Sequence, residues 1–392
     1  MNQESSPDPL TILQVASGFP GWGGTELHIL NLSQQLTLRG HNVTVACRPD
    51  GWVSRKAKEM NLATLDATVL RQQDWQDRRV FARFCADNKV DVVHTHWSTD
   101  AFVPPFAARM SGVPVRMMTR HSPYPFKTPL GRFLYTHFLY NRILTVSQSV
   151  ANTLIKCGVG QDKITVVHHG TNVAEFENIT KTREESRVEI GLAPNMVAVG
   201  ILGRIAQEKG HRYLYDALKL LPDLDDLRVV VVGEGPQADE QRAYVSQNGL
   251  DSRVIWVPFR SDVNNAINAL DIVAVPSTWE EPCSAVIQQA MALSKPVIGT
   301  RVGGTPEMIV DGETGLLADA KNAEQLAGAI KALVVDPDLR NRQGVAGAER
   351  VRALFTLDRM TTRIEEIYRQ ELSRSGRQGA RQRDVRTEAV PA

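Results

Sequence analysis

Cysteine is scarce in this chain and dispersed. Its four cysteines, Cys47, Cys85, Cys157 and Cys283, form no Cys-x-x-Cys pair or other metal-type cluster. That argues against a disulfide framework and for free thiols in a reducing compartment. Net charge is lacking too. The formal value is +1 over 392 residues, so no dedicated nucleic-acid surface is expected. No uncharged apolar run approaches the roughly 18–20 residues that span a bilayer. Met1–Pro9 is polar, without a basic residue, and does not read as a signal peptide. These absences leave a soluble or at most peripheral protein, expected in the cytoplasm.

What is present is apolar residue enough for two cores. Hydrophobic residues make up 42% and charged residues 23% of a chain long enough for two domains. Apolar runs at Thr11–Ala16, Val43–Cys47, Thr64–Leu70, Asp91–His94, Val113–Thr119, Ile143–Val146 and Ile164–Val167 predict strands. Helical stretches such as Trp75–Asn88 and Ser147–Cys157 separate them. A second series begins at Val197–Leu202 and runs through Leu227–Val232, Arg253–Val257, Asp271–Val275 and Pro296–Thr300. Arg212–Leu221, Asp239–Asn248 and Val263–Leu270 read as its helices. Strands alternating with helices predict parallel sheets covered on both faces. The fold class expected is α/β, with two doubly wound Rossmann-like domains. The charged segment Glu175–Pro194 reads as a linker plus the lead-in helix of the second domain. Helices fill Asn322–Val335, Asp338–Leu354 and Leu357–Leu372. The expected division is 1–185, 186–355, a C-terminal helix at 356–374 packing back toward the first domain, and a disordered tail at 375–392.

Ligands of such sheets bind at the carboxyl ends of the strands. Several polar clusters stand there: His94-Thr95-His96-Trp97, Arg120-His121-Ser122 and His168-His169-Gly170-Thr171-Asn172. After the first strand comes a glycine-rich loop ending in Gly23-Gly24, then a helix closing near Gly40. That arrangement can cradle a phosphate, because glycine lets backbone N–H groups approach an anion. The spacing is neither that of a dinucleotide fingerprint nor that of a P-loop. The second series opens on Gly203-Arg204-Ile205-Ala206-Gln207-Glu208-Lys209-Gly210. Two cations on one strand-end loop can neutralise a pyrophosphate and stabilise it as a leaving group. Gly233-Glu234-Gly235-Pro236 makes a tight turn after the next strand. Pro276–Ala292 reads as strand end, polar loop and, from Cys283 on, helix. Its N-terminus favours an anion, with Glu281 just before it and Gln289 about two turns inside.

These residues resemble glycosyltransferase family 4, a group of retaining enzymes with the GT-B fold. The matches are Gly23-Gly24-Thr25-Glu26-Leu27-His28, Arg39-Gly40-His41-Asn42-Val43, Gly203-Arg204 with Glu208-Lys209-Gly210, and Val232-Gly233-Glu234-Gly235-Pro236. Pro276-Ser277 with Glu281-Pro282 follows, then Ala290-Met291-Ala292 through Lys295-Pro296-Val297-Ile298 to Val302-Gly303-Gly304-Thr305-Pro306-Glu307. Asp311-Gly312-Glu313-Thr314-Gly315-Leu316-Leu317 completes them. They cover about residues 10–370 in the family's order.

The resemblance implies a nucleotide-sugar donor, UDP- or GDP-linked, and a glycan or lipid-linked acceptor, handled by two domains whose sheets face a central cleft. It implies no cofactor and no metal. It places Arg204 and Lys209 on the diphosphate, backbone amides near Ser284–Ala285 and Gly23–Gly24 close to phosphate or acceptor, and His121 beside the donor sugar. Gly203 and Gly233 belong to the donor-binding turns. The family's paired glutamates, separated by seven residues, fall on Glu281 and position 289. The second is glutamine here, which keeps an acceptor but loses the charge. Glu280 does not satisfy the count. The catalytic set implied is Glu281, His121, Arg204 and Lys209, in bacterial lipopolysaccharide or surface-polysaccharide assembly. Two other readings stand beside it: a sugar-nucleotide epimerase of similar architecture, and a non-catalytic sugar-nucleotide-binding homologue. His94 and His96 suggest a metal pair without an evident third ligand, so surface or acceptor-side roles are expected. The aromatic stretch Ser122–Tyr140 combines a loop suited to peripheral membrane contact with a helix expected to bury Phe133, Leu134, Phe138 and Leu139.

Overall fold

A computed structural model describes residues 8–16, 23–67, 75–97, 102–126, 128–177 and 179–376. The loop at 17–22 and the tail from 377 on, both singled out above, lie outside the described residues. So does the end of the predicted strand Thr64–Leu70.

The chain divides into two units. The first contains β1 (Thr11–Val15), β2 (Asn42–Cys47), β3 (Ala63–Asp66), β4 (Val92–Thr95), β5 (Val115–Arg120), β6 (Arg142–Thr145) and β7 (Ile164–Val166). They form a parallel sheet in the order β3-β2-β1-β4-β5-β6-β7. The second contains β8 (Val197–Leu202), β9 (Leu227–Val232), β10 (Val254–Val257), β11 (Ile272–Val275), β12 (Val297–Thr300) and β13 (Gly315–Ala318). Their order is β10-β9-β8-β11-β12-β13, again parallel. Strands such as β4, β11 and β12 are buried at every residue, as a sheet covered on both faces requires. Strand order reverses between β1 and β4 and between β8 and β11. Loops leaving such a pair diverge and open a crevice at the sheet's carboxyl edge.

The first unit is Met1–Gly170 with Leu357–Ala392, and the second is Thr171–Thr356. The boundary after Gly170 comes earlier than the one expected after residue 185. The charged segment is not a free linker. It forms the helices Val173–Glu177 and Arg183–Glu189, and Phe176, Ile190 and Leu192 pack with Ala198, Val230 and Leu270 in a second-unit core. The helix Leu357–Arg374 belongs to the first unit. Its Leu357, Met360, Ile364, Ile367, Tyr368 and Leu372 are buried with Ile12, Leu36, Val92 and Met117.

Two local expectations fail. β13 was not expected, because four residues beginning at a glycine carry too little alternation to show. The helix at Pro129–Phe133 turns π-helical over Leu134–Leu139, so the side chains there do not follow the α-helical spacing assumed for a buried face. Leu139 is buried as expected, but Phe133 is 56% exposed.

Asp271 anchors the lead-in helix to the second sheet. Its Oδ1 accepts from Arg183 at 2.8 Å, and its Oδ2 accepts from Arg187 at 3.3 Å and from the Ala198 N–H at 2.9 Å. Arg187 is buried, so removing its carboxylate strands a charge. Asp271→Ala is expected to destabilise the protein by about 3 kcal/mol, read as a lower denaturant midpoint.

Candidate functional site

In the second unit the site grows from the loops that follow β8 and β11. Lys209 donates to Glu281 Oε2 at 2.6 Å, and Ser277 Oγ donates to the same oxygen at 3.1 Å. This brings together two residues 72 apart in sequence. Glu280, by contrast, points into solvent. The loops are held backbone to backbone. Thr278 N–H donates to the Glu208 carbonyl at 2.8 Å, Gly304 N–H to the Glu281 carbonyl at 2.8 Å, and Ile205 N–H to the Glu234 carbonyl at 2.9 Å. Gly203 N–H bonds the Val232 carbonyl at 2.9 Å and Gly233 N–H the Val257 carbonyl at 3.0 Å, so both extend the sheet past its strands.

Two glycines make this closeness feasible. At Gly210 φ is +74°, and a Cβ would lie 1.9 Å from the Pro276 carbonyl oxygen. At Gly303 φ is +54°, and a Cβ would lie 2.3 Å from the Glu281 carbonyl oxygen. Both combine a left-handed backbone with a contact that excludes any side chain.

Arg204 lies on the same loop, with its side chain 66% exposed and its guanidinium on the Glu208 carboxylate. An exposed pair of this kind contributes little to stability, so exchanging Glu208 for an anionic ligand costs little. The helix Ala285–Ala292 starts two residues later than its periodicity suggested, because Ser284 is extended. Ser284 is the N-cap residue but its side chain caps no N–H. The first-turn amides, Ala285 among them, therefore lack that side-chain acceptor, and they and the helix dipole favour an anion. Gln289 is half-buried on this helix and takes no part in the bonds joining Lys209, Ser277 and Glu281. Beside the Lys209 loop lies a cavity of about 460 Å³ lined by Glu208, His211, Arg212, Gln241, Thr278 and Trp279 among others.

The first unit carries a different constellation at its sheet's carboxyl edge. Gln14 on β1 donates to the Tyr368 hydroxyl at 3.1 Å, and its Oε1 meets His96 Nε2 at 2.9 Å. His96 Nδ1 meets His121 Nε2 at 3.2 Å, and His121 Nδ1 meets His169 Nε2 at 2.9 Å. His94 lies between Tyr368 at 2.6 Å and Thr119 at 2.7 Å. His28 packs against His169 and His121, with ring centroids 4.5 and 4.9 Å away. Loss of solvation is the main cause that pushes all five imidazoles down, and neighbouring histidines add to it at His28, His96, His121 and His169. His94 falls to about 3 and His169 to about 4, while His28, His96 and His121 lie well below the usual value. The cluster is neutral at physiological pH. His94 and His96 are thus buried, not surface groups. Gly23 precedes the helix Gly24–Leu38 as its N-cap residue, and Gly24 is its first residue. Burial raises the Glu26 carboxyl, opposed by backbone hydrogen bonds at Glu26 and Gly23, so this helix start already faces a carboxylate.

His169 was singled out only as part of a polar strand-end cluster and His28 only within a family motif, and neither was assigned a site role. The available signal was topological, since the three histidine-bearing strand ends, of β4, β5 and β7, lie on one sheet edge with only β6 between the last two.

Comparison with known proteins supplies the class. The model "Glycosyltransferase Family 4" matches residues 22–175, and "Glycosyl transferases group 1" matches 182–350. The chain belongs to the family 4 glycosyltransferases. Among curated relatives, the D-inositol 3-phosphate glycosyltransferase of Corynebacterium glutamicum is 33% identical over 53% of this chain and 51% of its own length. The α-maltose-1-phosphate synthase of Mycolicibacterium smegmatis is 29% identical over 71% of this chain and 78% of its own. Among solved structures, a glycosyltransferase from Rickettsia africae superposes with a TM-score of 0.85 at 23% identity, covering 93% of this chain and 99% of that one. Anabaena HepE in complex with UDP gives 0.82 at 21% identity, covering 91% and 99%. The fold is therefore GT-B, and the two family models fall one on each sheet-bearing stretch of the chain.

In this family 4 enzyme the Gly210 contact is the most demanding feature of the Lys209–Glu281 site. Gly210→Ala is expected to cost about 2 kcal/mol or more and to separate the two loops, read as a lower melting temperature together with lost activity.

Proposed function

We propose that the enzyme transfers a sugar from a UDP- or GDP-linked donor to a glycan or lipid-linked acceptor, with retention of anomeric configuration and without a metal. The setting proposed is bacterial lipopolysaccharide or surface-polysaccharide assembly on the cytoplasmic side. The observation that carries this reading is the Lys209–Glu281 pair beside the uncapped helix start at Ser284–Ala285. Cleavage of the glycosyl–phosphate bond leaves oxocarbenium character on the sugar and negative charge on the departing diphosphate. Lys209, Arg204 and the first-turn amides supply positive charge for that group, Arg204 by exchanging Glu208 for it. Glu281 holds the Lys209 ammonium at the strand end and offers an acceptor to a sugar hydroxyl. His121 is proposed beside the donor sugar. Glu280 is solvent-facing, so two carboxylates do not flank a bond as a glycosidase mechanism needs. The printed ligands of Anabaena HepE, which include UDP-glucose, favour a nucleotide-sugar donor.

Lys209→Ala and Arg204→Ala are each expected to lower turnover by roughly 10²–10³-fold with unchanged melting temperature. The assay is nucleoside diphosphate release with and without acceptor over a panel of UDP- and GDP-sugars. Wild-type-like transfer by both variants would remove the assignment.

Peripheral membrane contact is proposed for the segment that exposes Tyr124, Leu130 and Phe133. None of the described helices is long and apolar enough to cross a membrane. With anionic liposomes the chain is expected to float, and Phe133→Ser to float less. Protein that stays wholly in the soluble fraction excludes the contact.

A further inference from the structure

We propose that His28, His121 and His169 form a binding site for a divalent transition-metal ion of the zinc class, held through three imidazole nitrogens. The site lies within the first unit and shares His121 with the transferase reading, whose chemistry calls for no metal.

Geometry comes first. One nitrogen from each ring lies within 4.8 Å of the other two. Around a tetrahedral zinc with Zn–N of about 2.0–2.1 Å, ligand nitrogens sit roughly 3.3 Å apart. Closing from at most 4.8 Å to that spacing asks for a shift of up to about 1.5 Å. The three residues come from separate elements: the helix Gly24–Leu38, the residue after β5, and the segment after β7. An ion would tie all three to one point.

The second observation is an orphaned atom. His28 is only 8% exposed, and its Nε2 is buried without a hydrogen-bond partner. A buried polar atom left so is costly, and a ligand is one way to satisfy it.

The third is the proton order along the chain of hydrogen bonds. The Gln14 amide N–H₂ donates to Tyr368, which leaves its Oε1 as the group facing His96. An amide oxygen only accepts, so His96 Nε2 carries the proton and His96 Nδ1 accepts from His121 Nε2. His121 Nδ1 then keeps its lone pair, which meets His169 Nε2 at 2.9 Å, so an ion bound here takes the place of that hydrogen bond and of its proton. Gln14 and His96 thus set the tautomer of a first ligand, as outer partners do in metal sites. The set is all imidazole, which suits zinc, copper, iron and nickel over magnesium or calcium.

The test uses the full-length untagged chain, treated with chelator and then titrated with Zn²⁺ by calorimetry and with Co²⁺ by visible absorption. The proposal expects one ion per chain and a melting temperature raised by Zn²⁺. His28→Gln and the less buried His169→Ala are each expected to abolish stoichiometric binding. His96→Gln should weaken it at least about tenfold. His137→Ala, away from the cluster, should leave it unchanged. Circular dichroism checks that each variant is folded. If His28→Gln does not fold, His169→Ala decides. Substoichiometric binding by the wild type, or full binding by a folded His28→Gln or His169→Ala, would overturn the proposal.

Discussion

The second unit depends on the approach of main chain to main chain at its sheet's carboxyl edge. At Gly210 and Gly303 the loops after β8, β11 and β12 come too close for any side chain. Hydrogen bonds from Thr278 to Glu208 and from Gly304 to Glu281 fix them there. That contact holds together the loops that carry Lys209 and Glu281, whose side chains meet at 2.6 Å. The glycines are therefore part of the charge arrangement. They set where the ammonium sits, and through the carbonyl of Glu281 they set how its carboxylate is turned.

The two units share a plan but spend their polar groups differently. The second places its charged groups on exposed or half-exposed loops, where a ligand can exchange with a surface ion pair. The first has neutral rings behind a sheet edge, sorted by hydrogen bonds into a definite proton order. Burial keeps these imidazoles uncharged. Such a cluster suits direct ligation or positioning rather than proton exchange near neutral pH.

Much of the fold was legible because parallel strands buried on both faces must be apolar throughout. Leu227–Val232 and Val197–Leu202 were read to the residue for that reason. β13 was hidden by brevity, and the boundary after Gly170 was hidden by charge. Solvent-facing Glu and Arg side chains masked the apolar residues Phe176, Ile190 and Leu192. In the site, the counted spacing back from Ala290-Met291-Ala292 selected Glu281, and the carboxylate of that residue, not of Glu280, meets Lys209. The histidine cluster was not legible as a cluster. Its members span residues 28 to 169, and only the strand order brings β4, β5 and β7 to one edge.

The helix Leu357–Arg374 gives the molecule a definite order of completion during synthesis. The second unit is one continuous stretch, Thr171–Thr356, and possesses all its strands before that helix has been made. The first unit has its whole sheet far earlier, but not Tyr368, the hydroxyl that meets Gln14 and His94. Until the last helix leaves the ribosome, Ile12, Val92 and Met117 lack their cover and the histidines lack their end stop. The half of the protein that is translated first is therefore the half that finishes last. A nascent chain stalled before residue 357 would carry a finished second unit and an open first one, a natural substrate for chaperones.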